Sequence, residues 1–209
     1  MSSIETGAGG LLKAVWFASE KHRDQRRKGD DSPYINHPVG VAWILQHEAG
    51  VSDVATLQAA LLHDTVEDTD TTFEELEEHF GAEVTGIVRE VTDDKSLPKE
   101  QRKVGQIEHA GSASDKAKLV KLADKLYNYR DLKNVPPKGW GVARITGYFV
   151  WGSFVTRKCA GVSAALDALL EEFYQSSFEV QGAQHPVLPS GDLNAFLGSY
   201  LSDLKLAQD

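Results

Sequence analysis

A chain of 209 residues, 41% hydrophobic and 25% charged, has the length and balance of one soluble globular domain, with or without an appendage. Its 22 basic residues stand against 31 acidic ones, a net charge of −9, which disfavours a nucleic-acid binder built on many phosphate contacts. No run approaches the roughly 18 apolar residues of a membrane span. The opening MSSIETGAGG lacks the basic start and apolar core of a signal peptide, and Cys159 alone cannot form an internal disulfide, so the expectation is a cytoplasmic protein.

Helical spacing dominates the chain. Leu11, Val15, Ala18 and His22 share one stripe of a first helix, and the turn-forming run GDDSPYIN follows. His37-Pro38 opens a second helix, proline suiting the first helical position, and Gly50 closes it. Ser52 is the expected N-cap of a third helix with Asp53 in its first turn, read as continuing from 54 to 68. Thr72 and Glu75 form a capping box ahead of FEELEEHF, which Gly81 is expected to stop. Pro98 starts PKEQRKVGQIEHA, and longer helices are expected from about Ser114 to Leu132 and from about Val142 to Leu170. No segment alternates steadily, and Asn-Gly and Asp-Gly hairpin signals are absent, so the predicted architecture is all-α. The turn-rich SSFEVQGAQHPVLPSG and a short helix, NAFLGSYLSDLKLA, make residues 176–209 a linker and helix packing on, or trailing, a domain of residues 1–175.

One stretch carries more chemistry than the rest. ALLHDTVEDTD, starting at Ala60, places a histidine, an aspartate, a glutamate and another aspartate on a helix whose wheel from 54 to 68 leaves only Gln58 and Thr65 as a solvent strip. Buried carboxylates need strong partners. His63 with Glu67, and Asp64 with Asp68, are i, i+4 pairs, and a divalent cation would satisfy such a cluster economically. His37 ends its loop beside a proline. Asp124 lies between the apolar stripe of Ala117, Val120, Ala123 and Tyr127 and the polar strip of Lys118, Lys121, Lys125 and Asn128. Alone, a histidine here reads as a core hydrogen-bonding group and Asp124 as the partner of Lys121 or Lys125. Together His37, His63, Asp64 and Asp124 form an H…HD…D set, whose two imidazoles and two carboxylates suit Mn²⁺, Fe²⁺ or Zn²⁺ better than Ca²⁺.

That set is the signature of the HD phosphohydrolase superfamily. HRDQRRKGDDSPYINHPVGVAWIL, AALLHDTVEDTDTTFEELEEHFG, VTDDKSLPKEQRK and KLVKLADKLYNYRDL, in this order, resemble the small alarmone hydrolases over about residues 11–155. These are metazoan SpoT-like proteins related to the hydrolase domain of Rel/Spo enzymes. The resemblance implies an HD-domain helical bundle and an Mn²⁺-dependent enzyme that removes the 3′-pyrophosphate from guanosine tetra- or pentaphosphate. It implies His37, His63, Asp64 and Asp124 as metal ligands, and Glu67 and Asp68 as the pair that activates water. Arg27 matches the family arginine that stacks on guanine, and Asn128 the family's ribose or phosphate contact. Arg144 and Tyr148 are further candidates for the phosphate end. The chain from Glu172 onward lies outside the resemblance.

Charge supports a phosphate-rich ligand. Lys21, Arg23, Arg26, Arg27 and Lys28 form one basic group, Lys118, Lys121 and Lys125 a second, and Lys95, Lys99, Arg102 and Lys103 a third. Each alone reads as a solvated face, but three flanking one acidic set would offset its repulsion of a polyphosphate, with Lys28 and Lys121 as substrate contacts. His22 is expected to be structural, and His79 and His109 sit near helix ends without a catalytic role, which leaves one metal ion. The expected partner is a small nucleotide; oligomeric state is not readable. A phosphatase of another 2′- or 3′-phosphorylated nucleotide, such as NADPH, would use the same residues. A catalytically inactive sensor would have no need of both Glu67 and Asp68.

Overall fold

The computed structural model describes residues 7–206. Its helices are α1 (Gly7–Lys21), α2 (Asn36–Trp43), α3 (Val54–Leu62), α4 (Thr65–Asp68), α5 (Phe73–Val91), α6 (Lys99–Ala110), α7 (Asp115–Asn134), α8 (Val142–Cys159), α9 (Ala164–Tyr174) and α10 (Leu193–Leu206). Strands β1 (Ser177–Val180) and β2 (Ala183–Pro186) pair between α9 and α10. Among the described residues no helix is long and apolar enough to cross a membrane.

Helix α3 is the hub. Every residue from Thr56 to Leu62 is buried, and α1, α2, α5 and α7 pack around it. A helix enclosed on all sides has no solvent strip, so the expected exposure of Gln58 and Thr65 is wrong. Gln58 reaches the Gly10 carbonyl at 3.0 Å and the Thr65 hydroxyl returns to the Leu62 carbonyl at 2.7 Å, so each polar group is satisfied inside.

Glycines set two close approaches that position the site. A Cβ at Gly40 of α2 would fall 2.0 Å from the Tyr127 ring of α7, and one at Gly152 of α8 would fall 2.0 Å from the Tyr129 hydroxyl. The first approach brings the start of α2, with His37, against the middle of α7, where Asp124 sits.

Several boundaries differ from those read in the sequence. Asp53, not Ser52, caps α3, accepting a hydrogen bond from the Thr56 amide at 2.9 Å. The 54–68 helix breaks at His63 and Asp64, and α4 resumes after them. Gly81 (φ 83°) kinks α5 without ending it, because Val84, Ile87 and Val88 continue the buried stripe. The 142–170 helix is two helices, separated by Gly161 (φ 96°) and restarted at Ser163, whose hydroxyl accepts from the Leu166 amide. The turn-rich segment forms a hairpin through Gln181 (φ 53°) and Gly182 (φ 80°), both left-handed as a type I′ turn requires. Phe178 of β1 is buried against Phe149, and α10 packs on α6 and α8 through Tyr200 and Leu204.

Gly152→Ala tests the α7–α8 approach. Tyr129 is fully buried and stacked on Phe173, so it has nowhere to move. Alanine adds about 1 kcal/mol of helix propensity, whereas overpacking costs roughly 1–3 kcal/mol. The net expectation is a lower melting temperature; an unchanged or higher one would show that the two helices separate freely.

Candidate metal centre and nucleotide cavity

Three segments deliver four donor atoms to one place. His37 comes from the first turn of α2, His63 and Asp64 from the break between α3 and α4, and Asp124 from mid-α7. His37 Nε2 and His63 Nε2 are 3.1 Å apart. Asp64 Oδ2 lies 3.3 Å from the first and 3.1 Å from the second, and Asp124 Oδ1 lies 3.2 and 3.8 Å from them. Ligand atoms of His37, His63 and Asp124 all fall within 4.8 Å of one another.

The helix break is what aims His63. Its Nδ1 lies 2.8 Å from the Ala60 carbonyl, which can only accept, so Nδ1 carries a proton and Nε2 is the atom turned toward the cluster. Both carboxylates are held in turn. Tyr34 donates to Asp64 Oδ2 at 2.5 Å, Lys125 to Asp124 Oδ2 at 2.8 Å, and the Asn128 amide to Asp124 Oδ1 at 2.6 Å. Asp124 therefore makes the simple ion pair with Lys125 and also faces the imidazoles.

The electrostatics show a site that attracts positive charge. Burial opposes charging His63, yet the Asp64 and Asp124 carboxylates outweigh it and hold the imidazole well above its usual range. Burial also opposes charging the two acids, but His63 and His37 hold Asp64 well below the usual carboxylate range, and Lys125 with both imidazoles does the same for Asp124. Two imidazole nitrogens and two carboxylate oxygens around one point fit a divalent first-row metal.

Glu67 and Asp68 flank this cluster on α4. Burial, then Asp93 and Asp64, push the Glu67 carboxyl up to about 7, while one of its oxygens accepts from the Asp93 amide at 3.2 Å. Asp68 accepts from the Gln25 amide at 2.9 Å and pairs with Lys95. Both acids line the inner cavity of about 180 Å³ over the four donors. It adjoins an outer chamber of about 400 Å³, and Tyr34, Asp68, Lys103, Asn128 and Tyr148 line both.

The other predicted residues divide. Arg27 lines the outer chamber, pinned to Asp131 Oδ2 at 2.5 Å and Asn128 Oδ1 at 3.0 Å, with its guanidinium 5.5 Å from the Tyr34 ring. Lys28 lines the same chamber and Lys121 the inner cavity. Arg144 lines neither and stacks on Trp140 at 4.3 Å. Lys21 is taken by Asp70 and Glu75, and Arg23 by Glu20. His22 is buried and bonds Gln25 at 2.6 Å, as a structural histidine would.

Sequence reasoning missed Tyr34 and Tyr200. Tyr34 lies three residues before His37, one turn's spacing, and that offset was the available signal. Lys103, named only as part of a basic group, lies between the two cavities, 3.3 Å from the Trp151 ring centroid. Burial, then Lys125, lowers its ammonium well below the usual lysine range.

The HD domain family matches residues 14–158. The chain belongs to the HD domain family. Within this family it stands with the MESH1 proteins. It is 59% identical over 165 residues to the guanosine-3′,5′-bis(diphosphate) 3′-pyrophosphohydrolase MESH1 of Xenopus tropicalis, covering 78% of this chain and 92% of that protein. The human MESH1 is 56% identical over 166 residues, 79% of this chain and 93% of that protein. A solved structure of a metazoan orthologue of SpoT that hydrolyses ppGpp superposes with a TM-score of 0.79 at 48% identity, covering 81% of this chain and 96% of that one. The match to the HD domain ends before α9, the hairpin and α10.

The cluster makes stability depend on pH. A raised folded-state pKa at His63 stabilises fully below about 6.5, and that contribution is lost as pH rises through the folded value. Chelator-treated protein should therefore lose melting temperature as pH is raised from 6.5 to 9 (on the order of the imidazole range and above). His63→Gln should flatten that slope; an unchanged slope in the variant would show that His63 is not its source.

Proposed function

We propose that this HD-domain phosphohydrolase uses one Mn²⁺ ion to remove the 3′-pyrophosphate of guanosine tetra- or pentaphosphate, releasing pyrophosphate and, from ppGpp, GDP, in the cytoplasm. The observation that carries the reading is the convergence of two buried imidazoles and two half-buried carboxylates beneath a cavity lined by Glu67, whose carboxyl is pushed up to about 7. The names of the MESH1 relatives and of the SpoT orthologue support it.

His37, His63, Asp64 and Asp124 would hold the ion, and the aim of His63 Nε2 at the cluster, with Nδ1 tied to the Ala60 carbonyl, is the observation that fits them to it. When bound, the metal supplies Lewis-acid polarisation of a phosphoryl oxygen and acidifies a water. Glu67, with a carboxyl near 7, accepts the proton of the attacking water. Asp68, anchored by Gln25 and Lys95, orients that water. The water oxygen bonds to phosphorus as the bond from phosphorus to the ribose 3′ oxygen breaks, and that oxygen takes up the proton Glu67 accepted. Lys103, Lys121 and Lys125 surround the inner cavity and offset charge on the departing pyrophosphate. Arg27, fixed by Asp131 and Asn128, offers a planar face to the base, while Asn128 and Tyr148 stand at the junction where ribose and phosphate meet. Lys28 reaches the phosphates on the outer side, and Arg144 is placed by Trp140 to contribute to their field.

A panel of ppGpp, pppGpp and NADPH, assayed for phosphate and pyrophosphate release with and without Mn²⁺, tests the reading. Glu67→Gln and Asp68→Asn should keep the metal while losing about 10²-fold or more in turnover. His63→Ala, Asp64→Ala and Asp124→Ala should lose the metal itself. Loss of metal from Glu67→Gln as readily as from His63→Ala would overturn this division of roles, and phosphate release from NADPH alone would move the substrate assignment.

A further inference from the structure

The wall of the outer chamber includes a residue from outside the matched HD domain. Tyr200 of α10 lines that chamber and is 5% exposed. Its side chain rests on the backbone of α8 at Gly147, where a Cβ would fall 2.5 Å from Tyr200 Cδ2. Any larger residue at 147 would displace it. In this seat the phenol lies within electrostatic reach of Tyr148, Arg144 and Lys125. None of these three forms a hydrogen bond with its hydroxyl, which is not among the polar atoms closed off from solvent and faces the chamber. A hydroxyl that opens onto the chamber and is held by no neighbouring side chain is free to bond a ligand seated there.

The surroundings say what kind. Arg27, Lys28 and Lys99 supply positive charge, and Val135, Pro137 and Trp140 supply an apolar face. Together these suit a planar base carrying a phosphate chain. We propose that Tyr200 is a specificity residue, its hydroxyl hydrogen-bonding the nucleotide held in the outer chamber. This rests on the hydrolase reading above. The HD domain match ends at residue 158, and the four donors, Glu67 and Asp68 all lie inside it. Tyr200 therefore acts on nucleotide binding and not on the activation of water, and the C-terminal helix gives this chain a contact that the HD domain alone does not supply.

The test compares Tyr200→Phe with Leu204→Ala in the full chain loaded with Mn²⁺. Leu204 is buried on the same helix and lines neither cavity. Tyr200→Phe should weaken GDP binding by calorimetry, and raise KM for ppGpp, by about five-fold, the worth of one neutral hydrogen bond. Its kcat and melting temperature should not change. Leu204→Ala should lower the melting temperature by leaving a cavity while GDP affinity stays as in the parent. Wild-type GDP affinity in Tyr200→Phe would overturn the proposal, as would an equal loss in Leu204→Ala, which would make Tyr200 a mere support of the helix. A parent protein that does not hydrolyse ppGpp would sink the hydrolase reading alone, because GDP affinity still decides the role of Tyr200.

Discussion

Two imidazoles and two carboxylates share one buried space, and the rest of the molecule is arranged around holding them there. Each charge, alone in the interior, would cost several kcal/mol. Here Asp64 Oδ2 stands 3.1 Å from His63 and 3.3 Å from His37 and accepts from Tyr34, while Lys125 and Asn128 donate to Asp124. The interaction ties the start of α2, the α3–α4 break and the middle of α7. Those segments are far apart in sequence, so the cluster is a product of the fold and also a clamp on it. The break after Leu62 follows from the same constraint. A continuous helix would carry His63 and Asp64 along its own surface, whereas leaving the helix lets His63 bond back to Ala60 and turn Nε2 to the cluster.

The second constraint is charge. A chain of net −9 must still admit a polyanion. It does so by gathering Arg27, Lys28, Lys99, Lys103, Lys121 and Lys125 at the two cavities, while others are spent on surface pairs, as with Lys21 on Asp70 and Glu75 and Lys116 on Glu83. Crowding those cations has its own consequence. Burial, then the neighbouring Lys125, holds the Lys103 ammonium well below the usual lysine range. Bound phosphate and these lysines would thus strengthen each other.

Legibility in the sequence followed how local each signal was. The H…HD…D residues and the helices that carry them were readable, because histidines and acids in apolar segments contradict simple burial and because caps such as Thr72 and Ser114 act within three residues. The exposure of Gln58 was misread because its partner is the Gly10 carbonyl, 48 residues away, which no wheel contains. The hairpin escaped because its turn is Gln181-Gly182, a left-handed pair without the usual asparagine or aspartate. The break at Gly161 and Ser163 was visible as a glycine followed by a capping serine, but the apolar pattern ran across it. Tyr200 had no local signal at all. Its place in the chamber depends on α10 folding back over Gly147, a contact between residues 53 apart along the chain.

On this reading His37, His63, Asp64 and Asp124 would hold a single ion between them. Electron paramagnetic resonance of the chelated protein titrated with Mn²⁺ tests it most directly. The expected result is one tightly bound ion per chain, with nitrogen hyperfine coupling from two imidazoles that falls to one in His37→Ala. Two equivalent tight ions, or a bound ion with no imidazole coupling, would contradict it.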